Sequence, residues 1–171
     1  MSASPLSTVL QVQHLSFAFP GQAPLFNDWS ATIGAGLTLL QGEMSSGKTT
    51  LLRLLAGELP STGERRLLGR RLGDDPAADR RDICWFDPRD PAYDALTATG
   101  LMEQLRAQHP QLDAARWQRH VDGLLLTPHQ DKPLYALSTG SRRKAALAIA
   151  LSAGCPLTLL DEPAAGLDAP S

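Results

Sequence analysis

The stretch from Gln41 to Thr50, QGEMSSGKTT, narrows what this chain can be more than any other ten residues in it. It matches the pattern G-x-x-x-x-G-K-[ST] through Gly42, Gly47, Lys48 and Thr49. The flanks suit the pattern: the apolar run Gly36 to Leu40 predicts a buried strand before the loop, and Thr50 to Ala56 predicts the opening of a helix after it. Glycines lack the Cβ atoms that would stop a loop from curling its backbone N–H groups around a phosphate. The helix N-terminus adds partial positive charge at the same point. In such a loop Lys48 reaches the β and γ phosphates and the Thr49 hydroxyl holds Mg²⁺. Gly42, Glu43, Met44, Ser45, Ser46, Gly47, Lys48, Thr49 and Thr50 are therefore the expected phosphate-binding set. A glycine turn before a helix also arises for structural reasons alone, so the reading depends on what the rest of the chain supplies.

A chain of 171 residues holds one domain with a substantial core and is short for two. A hydrophobic content of 43%, a charged content of 20% and a net charge of -2 describe a soluble globular protein, with no basic excess to attract nucleic acid. Cys84 and Cys155 stand far apart in unlike contexts, which suggests neither a disulfide framework nor a metal site. Both are expected to be small buried apolar residues of a reducing compartment. His14, His109, His120 and His129 share no metal-ligand spacing and are expected at the surface or satisfied within the fold. No basic segment followed by an apolar one opens the chain, and no apolar run reaches about 18 residues, so the chain is not expected to span a membrane by itself.

Val9 to Phe19 predicts a strand pair or one bent strand, stopped by Pro20-Gly21. Leu25, Trp29, Ala31 and Ile33 alternate with Phe26, Asp28, Ser30 and Thr32, the period of a strand with one apolar face apart from Phe26. A parallel α/β unit is expected from Leu37. Beyond the loop, Leu51, Leu52, Leu54 and Leu55 predict a helix that Gly57 is placed to end. A turn around Pro60 to Gly63, a short apolar piece at Leu67-Leu68-Gly69 and an exposed polar segment from Asp74 to Arg81 are expected next. Ile83 to Phe86 predicts another buried strand. Thr99 is placed to cap a helix carrying Leu101, Met102 and Leu105, and Asp113 one carrying Trp117, Val121 and Leu124 or Leu125. Together these two predict a small helical insert over about residues 97–136, with Trp117 in its core.

Pro156 to Pro163, PLTLLDEP, delivers two carboxylates at the end of a buried strand, and ligands of open α/β sheets bind at the carboxyl ends of strands. Asp161 is expected to hold Mg²⁺, directly or through water. Glu162, facing the other way, is expected to orient or deprotonate the attacking water. Leu137 to Lys144, LSTGSRRK, opens a helix with Ser138 as its cap, a second helix start able to take an anion. Two such starts are redundant for one nucleotide. The redundancy points to a dimer in which each chain offers its second site to the other's nucleotide.

GEMSSGKT (Gly42 to Thr49), LSTGS (Leu137 to Ser141), LTLLDEP (Leu157 to Pro163) and AGLD (Ala165 to Asp168) stand in the order and spacing of the Walker A loop, the LSGGQ signature, Walker B and the D-loop. On these the chain resembles the nucleotide-binding domain of ATP-binding cassette (ABC) ATPases from about Leu10 to its last residue. The resemblance implies an α/β fold of the P-loop NTPase type: a parallel sheet flanked by helices, an N-terminal antiparallel β subdomain and the helical insert, in a single domain over residues 1–171. It implies ATP and Mg²⁺ as cofactors, with Glu162 and Lys48 catalytic and Thr49, Asp161 and Asp87 at the metal. It also implies adenine stacking by Phe19, with Phe17 as an alternative, and nucleotide contacts from Ser138, Gly140 and Asp168. Two cassettes of this family close head to tail with ATP between the Walker A loop of one and the signature of the other, and hydrolysis reopens the pair.

The sequence departs from the family in three places. The family's glutamine that touches Mg²⁺ and the attacking water follows the strand predicted at Ile83 to Phe86. Here the sequence is DPRDP, and the position falls on Pro88 or, one residue earlier, on Asp87; of the two only Asp87 can ligate Mg²⁺. Thr139 replaces a signature glycine and Ser141 the glutamine, which puts a β-branched side chain where backbone approaches phosphate. The family's switch histidine lies on a strand beyond the D-loop, and Ser171 precedes any such strand, so the domain is expected to lack its C-terminal end.

The implied function is an ATP-binding subunit that dimerises around Mg-ATP with a like or unlike cassette. In complete form it hydrolyses ATP to drive a transmembrane transporter subunit, at the cytoplasmic face of the cell membrane. Its compactness resembles the small cassettes of bacterial exporters, including the haem-exporter type of cytochrome c maturation. The first alternative is a catalytically weak, nucleotide-gated regulatory module, which the missing glutamine and histidine would fit. The second is a soluble cassette ATPase not linked to transport, acting on DNA or the ribosome. The net charge argues against the second, and no nucleic-acid partner is expected.

Overall fold

Val9 to Phe17 forms one bent strand, not two, and the bend explains its apolar spacing. In the computed structural model, which describes residues 7–87 and 90–163, β1 (Thr8–Phe17) pairs antiparallel with β2 (Phe26–Gly34) on one side and β3 (Thr62–Leu67) on the other. β4 (Arg70–Arg71) completes the order β2-β1-β3-β4. Leu10, Val12 and Leu15 are all buried, although a strict alternation would put position 14 on that face and 15 outside. The extra residue is His14, at φ 54, where the register with β2 shifts. Polar contacts hold this bulge: the His14 N–H donates to Ser30 Oγ (3.0 Å), and His14 Nδ1 lies 2.6 Å from Asp28 Oδ1. The Asp28 N–H donates to Ser16 Oγ at 2.8 Å.

Gly63 on β3 lies against the bulge at φ 86, and a Cβ there would come within 2.5 Å of the carbonyl oxygens of Gln13 and His14. Gly63→Ala is therefore expected to destabilise the protein by about 2–3 kcal/mol, because it adds a left-handed alanine to an overpacked contact with rigid backbone. A urea titration would show the midpoint falling at an unchanged m-value.

α1 (Lys48–Ala56) starts two residues before the expected opening at Thr50 and buries Leu51, Leu54 and Leu55. Gly57 ends it as expected: at φ 84 it returns its N–H to Leu54 O (3.1 Å), while the Glu58 N–H reaches Arg53 O (3.0 Å). The Arg65 guanidinium on β3 donates to the Leu54 carbonyl at the same helix end. Leu68 and Gly69, at φ 50 and 82, make the tight turn from β3 to β4.

The polar segment expected from Asp74 to Arg81 is mostly a helix, α2 (Pro76–Asp82). Asp75 Oδ1 accepts the Ala77 and Ala78 N–H groups, both at 3.1 Å, and proline at the first helical position leaves no donor unpaired. The buried strand expected over Gly36 to Leu40 is not formed: the segment pairs with no strand among the described residues, and Leu37 is 98% exposed. A strand needs a neighbour to complete its ladder, and here the antiparallel sheet draws its members from residues 8–34 and 62–71.

The described residues fall into two compact units, one ending at Asp79 and the other beginning at Arg80. In the second, β5 (Ile83–Cys84) and β6 (Leu157–Thr158) pair in parallel, Ile83 opposite Leu157 and Cys84 opposite Thr158. Both are shorter than the runs predicted at Ile83 to Phe86 and within Pro156 to Pro163. α3 (Ala98–Arg106) is capped by Thr97 and not by Thr99: Thr97 Oγ1 accepts the Gly100 N–H at 2.9 Å, whereas Thr99 Oγ1 donates to Asp131 Oδ1 at 3.1 Å. α4 (Ala114–Gly123) is capped by Asp113 as predicted, and the N–H groups of Arg116 and Ala115 hold that carboxyl below its ordinary value.

α5 (Thr139–Ser152) contributes Ala145, Ala148 and Ile149 to a core shared with Leu101, Met102 and Leu105 of α3 and Trp117 and Val121 of α4. Leu124 packs at its edge, while Leu125, at φ 57, is exposed. One expectation about the side chains fails outright. Cys84, His109 and Cys155 are not in unrelated places; their side chains converge.

Candidate functional site

In the first unit the loop from Gly42 to Gly47 closes on itself. The Ser46 N–H donates to Glu43 O (3.3 Å), and Ser45 and Gly47 both take left-handed backbone, at φ 62 and 91. Gly47 accepts the Leu51 N–H at 2.8 Å, and no side chain caps the start of α1, the arrangement that suits an anion. One position needs glycine, Gly47, for its left-handed φ. A Cβ on Gly42 would stand 2.7 Å from Ser46 Oγ, and one on Gly47, besides its φ, would stand 3.0 Å from Leu25 Cδ2. Lys48 Nζ folds back over the loop and donates to the carbonyl oxygens of Gly42 (2.9 Å) and Glu43 (2.7 Å). Glu43, Met44, Ser45 and Ser46 are exposed, whereas Thr49 and Thr50, in the first turn of α1, are half-buried. Phe19 stands edge-on to Phe17, ring centroids 4.9 Å apart, and is the more exposed of the pair.

In the second unit β6 hands the chain to Leu159, whose N–H still donates to Cys84 O at 2.9 Å, and Asp161 follows, half-buried. Asp161 lines a hollow with Phe86, Arg143, Leu147, Leu160 and Pro163, which brings a carboxylate and a guanidinium to one surface. Glu162 is exposed and held at φ 45. Asp87 is half-buried and its carbonyl accepts the Asp90 N–H at 3.1 Å. Pro88 and the stretch Ala165 to Asp168 lie outside the described residues.

Ser138 caps α5 as expected: its Oγ accepts the Ser141 N–H (3.1 Å) and donates to Ser141 Oγ (3.0 Å), with Thr139 and Gly140 in the first turn. Ser138→Ala is expected to cost about 1 kcal/mol, the usual value of a serine cap, read as a lowered thermal midpoint.

One contact was not legible in the sequence. Arg142 pairs with Asp94 Oδ1 at 2.6 Å and donates to Asp90 O at 3.3 Å, which ties the LSTGS helix to the segment after Asp87. Opposite charges 48 residues apart (142 − 94) carry no local signal of such a pairing. As for a metal, the Thr49 hydroxyl and the carboxylates of Asp161 and Asp87 are hard oxygen donors of the kind Mg²⁺ takes. Thr49 belongs to the first unit and both acids to the second.

Comparison with known proteins agrees with these motifs. The family model described as ABC transporter matches residues 26–165. A cytochrome c biogenesis ATP-binding export protein, CcmA, of Pseudomonas savastanoi pv. phaseolicola is 34% identical over 166 residues, covering 96% of this chain and 78% of that protein. The CcmA protein of Pseudomonas putida strain KT2440 is 37% identical over 147 residues, 84% of this chain and 70% of its own. Among solved structures, an ATP-binding subunit of an ABC transporter superposes with a TM-score of 0.73 at 24% identity, over 94% of this chain and 69% of that one. A cobalt transport ATP-binding protein, cbiO-2, gives a TM-score of 0.78 at 22% identity, over 94% and 61%. At those identities the superpositions establish the fold, α/β with an antiparallel N-terminal sheet.

Proposed function

The chain belongs to the ABC transporter family of ATP-binding proteins, and from that premise we propose that it binds Mg-ATP on the loop Gly42 to Thr50 and hydrolyses it in a closed pair of cassettes to drive a membrane transporter. The observation that carries this reading is Lys48 lying across its own glycine loop, 2.9 and 2.7 Å from two loop carbonyls that a phosphate oxygen would replace as its partners. In this reading Thr49, Asp161 and Asp87 hold Mg²⁺, which neutralises charge on the phosphates. Lys48 adds a second positive charge at the β and γ phosphates. Glu162 orients and polarises the water that attacks in line, and Phe19 lies against the base. Ser138, Gly140 and Asp168 serve the nucleotide of a second cassette, identical or not, so that each closed pair holds two.

We assign residues 1–171 to one nucleotide-binding domain, with α3 and α4 as the insert that meets a transmembrane subunit. Among the described residues no helix is long and apolar enough to cross a membrane, and we place the protein peripherally on the cytoplasmic face. Kinship with the CcmA proteins favours an export role. A weaker, regulatory ATPase is the second reading, favoured by Asp87-Pro88 where the family has glutamine and by Thr139 in the signature. Steady-state phosphate release by the purified protein with Mg-ATP separates the two: multiple turnovers support the motor, and binding without turnover supports the gated module. Absence of Mg-ATP binding in an equilibrium titration overturns both.

A further inference from the structure

We propose that Cys84, His109 and Cys155 form a zinc-binding site distinct from the nucleotide site. The three come from separate parts of the second unit: Cys84 from β5, His109 from the connection between α3 and α4, and Cys155 from the approach to β6. Their ligand atoms nevertheless all lie within 4.8 Å of one another. Cys84 is 1% exposed and His109 4%, while Cys155 is half-buried and leaves a way in for an ion.

The surroundings are arranged as for a metal. Cys155 Sγ lies 3.2 Å from His109 Nδ1. The Arg81 carbonyl oxygen lies within hydrogen-bonding reach of both, 3.1 Å from that nitrogen and 3.5 Å from the sulfur. Gln111 Nε2 donates to both the Arg81 oxygen (2.8 Å) and Cys155 Sγ (3.4 Å), as an outer partner that orients the donors. With Zn–S of about 2.3 Å and Zn–N of about 2.0 Å, tetrahedral neighbours lie roughly 3.5 Å apart, so closure needs movements of about an ångström. Two thiolates and an imidazole select zinc and discriminate against Mg²⁺, which takes oxygen.

Zinc binding must displace the thiol protons of both cysteines. Because Cys84 lies on β5 and Cys155 stands two residues before the strand that pairs with it, a bound ion would clamp the parallel pair that leads to Asp161.

The reduced, chelator-stripped protein titrated with Co²⁺ alone tests this without nucleotide. At one equivalent a thiolate-to-cobalt charge-transfer band and tetrahedral ligand-field bands are expected, and Zn²⁺ alone should bleach them and raise the thermal midpoint. Cys155→Ser, at the half-buried position, should weaken cobalt binding at least on the order of 100-fold with an unchanged circular dichroism spectrum. Lys48→Ala should leave the bands intact, which separates this site from the phosphate loop. Three results would each overturn the proposal: no thiolate band at excess Co²⁺ in the folded, reduced wild type, an undiminished band in Cys155→Ser, or zinc that fails to bleach the cobalt spectrum.

Discussion

Lys48→Ala is expected to weaken ATP binding by at least about 100-fold, close to 3 kcal/mol, the worth of charge-assisted hydrogen bonds to a phosphate. Lys48 is the first residue after a loop that ends on the left-handed Gly47, and its ammonium sits on the carbonyl oxygens of Gly42 and Glu43. Alanine removes the cation and both tethers together. The remaining affinity would come from backbone N–H groups at the start of α1, which the substitution does not touch. Stability should change by no more than about 0.5 kcal/mol, because the loop is exposed and α1 keeps its buried Leu51, Leu54 and Leu55. Lys48→Arg makes the complementary case: it keeps the charge but replaces a point cation with a planar fork, and should fall between wild type and alanine. The measurement is an equilibrium titration with ATP, with adenosine as the ligand that should not sense the change. Undiminished ATP affinity would remove the loop from its assigned role.

What was legible in the sequence was what neighbouring residues cause. Gly57 ends α1 because an αL residue is needed there, Asp113 and Ser138 cap α4 and α5 because their side chains reach N–H groups two or three residues on, and Trp117 enters a core because its helix has one apolar face. The four motifs likewise announced the family, and in the described residues Lys48 stands at a helix start, Ser138 at a cap and Asp161 just beyond a parallel strand, although the strand expected before the glycine loop is not formed.

What was missed depends on partners far away in the chain. Glu64-Arg65-Arg66 hid β3, because its polar side chains conceal a strand whose existence comes from pairing with β1. Leu37 to Leu40 has the composition of a buried strand and none of its pairing. The convergence of Cys84, His109 and Cys155, like the reach of Arg142 to Asp94, is a property of topology and leaves no periodic trace.

Glu162→Gln is expected to lower steady-state phosphate release by about 10²–10⁴-fold, the usual contribution of a general base, while leaving ATP affinity within about twofold. The amide keeps the shape and hydrogen-bonding reach of the side chain but cannot take a proton or carry the charge that polarises water. Such a separation of binding from turnover should leave ATP trapped, visible as a dimer on size exclusion. The backbone supplies an independent check. Glu162 is held at φ 45, a left-handed conformation that costs a side-chain-bearing residue about 1–2 kcal/mol, and strain of this kind persists where function demands a particular side-chain direction. Glu162→Gly should release that strain and, after the larger backbone entropy of glycine in the unfolded chain, gain about 0.5–1 kcal/mol of stability. It should lose turnover as fully as glutamine does. Glutamine is thus expected to leave the melting temperature where it is and glycine to raise it, with hydrolysis lowered alike in both. Hydrolysis at the wild-type rate in Glu162→Gln would take the residue out of the reaction. A lower melting temperature for Glu162→Gly would instead mean that the left-handed turn is held by contacts of the glutamate side chain and not imposed on it.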